Sequence, residues 1–550
     1  MNLARRDPVD SLWRPDRRAL TIGLVLTITL VGFEALAVST VMPIVVRELG
    51  GLELYGWVFS AFFLGSLIGI VVVGGAIDRG GLALPFAVGL GLFAVGLLSG
   101  GLAPSMVVLV AARFVQGLGA GTIQPIAYVA IARTLPEPLR PRMFATLSTA
   151  WVLPGVIGPA IAGTVGDATS WRFVFLGLLP LIAVAGALTL GALRAVRPGD
   201  VHPDAATAAA AAAARRGRLP LAILVALGAG LLTLGLTTGE PVPTLVLSAA
   251  GLVIGVAALR RLTPAGTLAA RPVLPAAVLL RGILTCAFFG VDAFVALTLV
   301  GWRGLSATEA GIALTAATVA WTGGAWIQAR GASRWPTHRF VRVGFAVVVA
   351  GLASMLLVLR TDVPWFVAIP AFGVAGLGMG LAYSPLALIV LREARPAMQG
   401  TATSALSLTD SLGTALGTGI SGAIVAASVR STGQPAMGLA VAFTVAVAIG
   451  LVWLAAGRTT TPARGPGIGP RPVSGVAIDV DGRGACGRLR ALTRLLTAAA
   501  GPLMEAPISC LPRSCARRSA RSPTSRSRAS CSTTSRPCSR TPRPTRKPST

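Results

Sequence analysis

The sequence predicts an all-α integral membrane protein: two six-helix bundles plus two extra central helices. Three observations predict it. Apolar residues make up 54% of the 550 positions and charged residues 12%, about half the charged share of a soluble domain, and mean hydropathy is +0.75. Fourteen apolar runs each reach the ~20 residues that a helix needs to cross a bilayer. The arginines between those runs alternate in abundance from one connection to the next, as the two sides of a membrane require.

The runs cover residues 20–46, 55–77, 82–103, 106–132, 143–165 and 172–193, then 219–238 and 242–259. They resume at 274–300, 308–329, 341–359, 363–391, 399–427 and 436–456. This six-two-six layout divides the chain into a cytoplasmic arm (1–18), a first bundle (19–195), a basic alanine-rich linker (196–218), two extra central helices (219–262), a second bundle (263–457) and a tail (458–550). The basic arm from Met1 to Arg18 leads into a run too long for a signal-peptide core, with no small-residue cleavage site after it, so that run reads as the first membrane helix.

Ahead of residue 458, the amino-terminal arm and the even-numbered connections carry 23 arginines. The odd-numbered connections carry five: Arg47, Arg172, Arg303, Arg360 and Arg430. Lys and Arg favour the cytoplasmic side, so the bias places both ends of the chain in the cytoplasm. Tyr55, Trp57, Trp171, Trp302 and Trp365 all fall at outer ends and read as an interfacial aromatic belt.

The net charge of +28 would suit a nucleic-acid binder, but +15 of it lies in the tail from Arg458 onward. The remaining +13 sits between apolar runs, where it serves topology, so no nucleic-acid partner is expected. The tail is rich in Arg, Ser, Pro and Thr, too polar to fold alone. It reads either as a lipid-surface electrostatic segment or as a reading-frame shift in a GC-rich gene. The second reading is preferred, and no function is assigned to it. Cys286 lies in an apolar run, whereas Cys486, Cys510, Cys515, Cys531 and Cys538 lie in the tail, and both His202 and His338 fall in loops. With no CxxC pair and no Cys/His cluster of zinc spacing, no metal site and no bound cofactor are expected.

Four segments carry chemistry. Between the second and third spans, Gly74-Gly75-Ala76-Ile77-Asp78-Arg79-Gly80-Gly81 makes a tight turn with a charge pair at helix ends, fit to latch one conformation, or simply a glycine-rich turn. In the fourth span, Arg113-x-x-Gln116-Gly117-x-Gly119-Ala120-Gly121 holds an arginine about two turns inside the outer boundary. Such an arginine faces the bundle interior, or snorkels over the ~10 Å to the surface. In the fifth span, Pro154-Gly155-x-x-Gly158-Pro159-x-x-Ala162-Gly163 is a bendable, closely packing helix. In the second bundle, Gly376-Leu377-Gly378-Met379-Gly380 ahead of Pro385 echoes Gly117-Leu118-Gly119-Ala120-Gly121 ahead of Pro125. Two related halves are the plan of alternating access. Charges inside spans are rare: Glu34 lies about fourteen residues into the first, Asp410 in the thirteenth, and Arg281 and Asp292 share the ninth, ~16 Å apart along the axis. Each acid is either functional or a structural polar contact.

The loop, fourth-helix and fifth-helix segments, in that order and on those spans, resemble the loop, fourth-helix and antiporter motifs of the major facilitator superfamily. The six-two-six layout and Trp171-Arg172-Phe173-x-Phe175 resemble its fourteen-spanner drug:proton antiporter branch, over roughly residues 15–456. Two departures stand out: Leu82 and Ala83 follow Gly81 where basic residues are usual, and Pro154 stands where glycine is usual. The resemblance implies a major facilitator fold and proton-driven export of amphipathic or hydrophobic small molecules, with the proton gradient as energy source. Glu34 would carry the proton, Arg113 and Asp78 would govern switching, and Gly158 and Pro159 would shape the moving helix. Further expectations are a bacterial cytoplasmic membrane location, no enzymatic activity and no obligate protein partner. Proton-coupled uptake on the same fold is the first alternative, and a membrane-embedded enzyme or receptor the second.

Overall fold

In lipid every backbone N–H and C=O must be satisfied within the protein, so an apolar chain of this composition becomes helices. The computed structural model describes residues 12–77, 81–136, 139–195, 217–332, 334–394 and 399–456, and no strand occurs among them. The first bundle comprises α1 (Pro15–Leu49), α2 (Tyr55–Ile77), α3 (Ala83–Gly101), α4 (Met106–Thr134), α5 (Arg140–Thr149), α6 (Val152–Ala168), α7 (Arg172–Leu176) and α8 (Leu178–Ala195). The extra pair is α9 (Arg218–Thr238) and α10 (Pro241–Leu262). The second bundle comprises α11 (Leu274–Ala296), continued by a π-helical segment Leu297–Trp302, then α12 (Ala307–Gly331), α13 (Thr337–Val358), α14 (Ala368–Glu393), α15 (Gln399–Thr432) and α16 (Ala436–Ala456).

Thirteen of the predicted spans are helices long and apolar enough to cross a membrane. The fifth differs, being two helices, α5 and α6, meeting at Ala150–Trp151. Pro154 has no N–H to offer the carbonyl four residues back. That carbonyl, on Ala150, instead accepts the Thr29 hydroxyl of α1 at 3.1 Å. The sixth span also has a joint, at Gly177 between α7 and α8. At 35 residues, α1 is ~52 Å long, well beyond the ~30 Å hydrocarbon layer, so it runs past the bilayer or tilts within it. It turns into α2 through Gly50 and Gly51, whose φ values of 67° and 70° suit glycine alone.

Lipid offers no hydrophobic drive between helices, so close contact between small residues must hold the bundles. The glycine echo is that device, used twice. A Cβ on Gly117 or Gly121 would strike the carbonyls of Phe62 or Ser66 on α2, and one on Gly119 would strike Gly89 and Phe93 of α3. In the second bundle, Gly376 and Gly380 meet the carbonyls of Ala317 and Trp321 on α12, while Gly378 meets Gly344 and Val348 of α13. The same three contacts recur in both bundles.

Helix α9 lies against both α2 and α15. It buries Ala222, Val225, Ala226 and Ala229 with Leu64, Leu67, Leu408, Leu412 and Ala415. Trp57 Nε1 donates to Thr237 Oγ1 at 3.2 Å, and Arg430 Nη1 donates to the Thr237 carbonyl at 2.9 Å. Helix α9 therefore bridges the bundles along one side, with α10 packed on it. The aromatic belt needs correction. Tyr55 and Trp171 are buried inside the protein, because each finds a partner for its polar end there. Tyr55 donates to the Ala293 carbonyl at 3.1 Å and Trp171 Nε1 to Glu48 Oε2 at 2.7 Å. The predicted tail from residue 458 and the linker up to residue 216 lie outside the described residues.

Candidate functional site

The charges within the spans collect into two clusters and one separate acid. In the first bundle, α1 and α4 bring Glu34 and Arg113 together, 1% and 2% exposed, as an ion pair through Arg113 Nη1 and Glu34 Oε1. Arg113 Nη1 also donates to Gln116 Oε1 at 2.7 Å, and Nε donates to the Val58 carbonyl of α2 at 3.3 Å. The Phe62 ring covers the guanidinium at 4.3 Å. Arg113 thus faces the interior and does not snorkel. Glu34 Oε2 and Gln116 Nε2 are buried without a hydrogen-bond partner in the protein. Taking a charge out of water is tolerated only with a close counter-charge, and α1 and α4 are held in the register that supplies it.

In the second bundle, Phe372 precedes Gly376 by the four residues that separate Arg113 from Gly117. No charge stands there. Phe372 stacks on Phe288 of α11 at 5.4 Å. Aromatic contacts spread from that pair to Phe289, Trp321 and Tyr383, and across to Phe63 of α2. Phe63, Phe289, Trp321 and Tyr383 are only half-buried, so they form an apolar wall between the bundles.

The second cluster lies about seven residues into α11. Arg281 Nε donates to Asp410 Oδ1 at 2.7 Å and Nη1 donates to the Tyr383 carbonyl at 2.7 Å. Tyr383 OH donates to Asp410 Oδ2 at 3.0 Å, and the guanidinium lies over the Tyr383 ring. Arg281 therefore pairs with α15 and not with Asp292 of its own helix. Among the described residues no hydrogen bond or ion pair engages the Asp292 carboxylate, which sits beside the Ala293 carbonyl that Tyr55 engages.

Of the fifth-helix residues, Pro154, Gly155, Gly158, Pro159 and Gly163 are all buried on α6. That helix forms a seam with α12 of the other bundle. A Cβ on Gly155 would strike Thr318, one on Gly163 would lie 2.8 Å from the Thr308 nitrogen, and one on Gly311 would lie 2.7 Å from the Pro159 carbonyl. At the ends of the bundles named outer by the arginine bias, Arg47 Nη2 donates to the Val300 carbonyl at 2.8 Å, and Asp167 engages the start of α12. This half of the seam is closed. Asp167 and Glu48 escaped notice in the sequence because each stands at the edge of an apolar run, where a charged residue marks no site by itself. The signal for Glu48 was Trp171-Arg172, since it accepts from both. In the loop motif, Gly74 and Gly81 have open space around them, while Asp78 and Arg79 lie outside the described residues.

A membrane protein of two repeated helix bundles, each holding a charge cluster, with an apolar wall where they meet, belongs to the transporter class. The family model described as Major Facilitator Superfamily matches residues 24–418, and the chain belongs to that superfamily. A Mycobacterium tuberculosis protein named "Probable multidrug-efflux transporter Rv1634" is 28% identical over 438 residues, covering 76% of this chain and 90% of the relative. The "Multidrug efflux pump SdrM" of Staphylococcus aureus is 22% identical over 422 residues, covering 74% and 89%. Among solved structures, a bacterial homolog of the human lysosomal transporter Spinster, in an inward-facing and unoccupied conformation, has a TM-score of 0.59 at 17% identity, covering 81% of this chain and 98% of that one. A D-xylose–proton symporter has a TM-score of 0.57 at 13% identity, covering 81% and 98%. These structures share the fold.

Proposed function

We propose that this transporter is a proton-coupled exporter of amphipathic or hydrophobic small molecules, acting in the bacterial cytoplasmic membrane with both chain ends in the cytoplasm. The observation that carries the reading is Glu34, buried within α1. One of its oxygens is engaged by Arg113 and the other is free of any protein donor. A proton has a place to land on Oε2. Once there it cancels the carboxylate charge and weakens the hold on Arg113, which keeps Gln116 Oε1 and the Val58 carbonyl as acceptors. Losing the proton restores the pair. The cycle ties the register of α1, α2 and α4 to protonation.

Export is supported by the relatives named for multidrug efflux, and an apolar cargo by the half-buried wall of Phe63, Phe289, Trp321 and Tyr383, since apolar and aromatic linings hold drug-sized molecules. The Arg281–Asp410 pair, held by Tyr383, offers a polar group beside that wall. Cells carrying the protein, loaded with a panel of toxic amphipathic dyes and then energised, should expel at least one of them, and Glu34→Gln should abolish energised efflux. Undiminished proton-driven efflux by Glu34→Gln would reject Glu34 as the carrier. No energised efflux of any member of the panel would reject export.

A further inference from the structure

The closed half of the α6–α12 seam ends in a contact that the proton chemistry does not use. Helix α12 begins with a complete capping box: Ser306 Oγ accepts from the Glu309 N–H at 3.2 Å, and Glu309 Oε2 accepts from the Ser306 N–H at 2.8 Å. A capping box leaves the first two helical N–H groups without an intrahelical acceptor. Those belong to Ala307 and Thr308. Both donate to Asp167, at 3.4 Å to Oδ1 and 3.2 Å to Oδ2, and the Thr308 hydroxyl donates to Oδ2 at 3.1 Å. Asp167 is the next-to-last residue of α6, in the other bundle. One bundle caps a helix of its partner.

We infer that Asp167 is the latch of the outer gate, a positioning residue whose carboxylate holds the amino terminus of α12 while the outer mouth is shut and releases it when that mouth opens. Geometry requires the release. Helices α6 and α12 belong to different bundles, and opening the outer mouth separates them at this level. Hydrogen bonds already at 3.1–3.4 Å are lost on a further separation of about 1 Å. The contacts beneath are as unforgiving, because Gly163 lies against the Thr308 backbone and Gly311 against the Pro159 carbonyl. Elsewhere across this half, Arg47 and Tyr55 donate to the Val300 and Ala293 carbonyls, and Ser60 Oγ donates to the Ala415 carbonyl at 2.7 Å and lies 3.1 Å from Thr418 Oγ1. Asp167 instead sets a negative charge against the positive end of a helix dipole, a pairing that also needs short range.

The inference rests on the rocking-bundle reading of transport, but not on proton coupling or on any substrate, so its test requires neither. In protein with all six cysteines replaced, spin labels are placed at Glu53→Cys and Thr361→Cys, exposed outer positions on opposite bundles. Pulsed electron resonance in lipid nanodiscs then reads the distance between them. Asp167→Asn, close in shape and still able to accept a bond, should raise the ratio of long to short distances by about tenfold, and Thr308→Val should move it the same way by less. Glu309→Ala breaks the capping box without touching the seam and should leave the distribution in place. An Asp167→Asn distribution that overlays the parent would overturn the assignment, as would a Glu309→Ala shift of equal size, which would trace the effect to fraying of α12. Thr308→Val, a mild change, keeps the question decidable if the Asp167 variant misfolds: a distribution unmoved by it overturns the latch.

Discussion

Replacing Arg113 with methionine removes one partner of a fully buried ion pair while keeping an unbranched stem out to the level of Nε. In the parent, Arg113 pairs with Glu34, donates to Gln116 Oε1 at 2.7 Å and packs beneath Phe62 at 4.3 Å. Removing one member of such a pair costs about 3–5 kcal/mol, because the other charge remains buried. The stranded Gln116 acceptor adds about 1 kcal/mol. A loss of about 4–6 kcal/mol is expected for Arg113→Met. In Glu34→Gln protein no carboxylate is left behind, and the same substitution should cost only about 1–2 kcal/mol. The two sites should then be coupled by about 3 kcal/mol, a value typical of direct contact. Reversible unfolding by SDS in mixed micelles, followed by tryptophan fluorescence, measures all four corners of the cycle. Equal costs of Arg113→Met in both backgrounds would refute the pairing and, with it, the reason Arg113 is tolerated in the membrane.

Three further outcomes follow from the packing and the surface. Gly117→Leu should cost more than about 3 kcal/mol or abolish folded yield, because its Cβ would strike the Phe62 carbonyl, whereas Gly91→Ala, with open space around it, should stay within about 0.5 kcal/mol in the same unfolding assay. Trp171→Phe should lose about 1–2 kcal/mol by removing the bond to Glu48 from a buried ring, measured the same way. Asp362, beyond the spans, has its carboxyl held below the usual carboxylate range by the Arg360 guanidinium that hydrogen-bonds it. Any stability it adds is present above the normal aspartate range and lost as pH falls through its lowered value. The pair is solvent-exposed, so Asp362→Asn should leave the unfolding midpoint unchanged between pH 5 and 8.

The spans were legible because hydropathy and length answer one physical demand, that a segment in lipid satisfy its own backbone. The break at Ala150–Trp151 was not, since it depends on Thr29 of another helix reaching the carbonyl that Pro154 leaves unpaired. Glu34 and Arg113 could both be singled out as rare intramembrane charges, but their pairing depends on how α1 and α4 are rotated, 79 residues apart. Arg281 shows the same gap: the sequence places Asp292 on its own helix but ~16 Å away, and folding gave it Asp410 from α15. The glycine echo carried further, because small residues must meet backbone wherever they recur on a packed face. Tyr55 and Trp171 were misread because position along a span shows depth in the membrane but not which way a ring faces.

The central claim is that Glu34 carries the coupled proton. Purified protein in vesicles with an imposed pH gradient, supplied with a dye that the cells expel, tests it most directly. The account predicts that Glu34→Gln still exchanges dye down its concentration gradient but no longer accumulates it uphill against one. Uphill accumulation by Glu34→Gln at the parent rate, driven by the pH gradient alone, would contradict it.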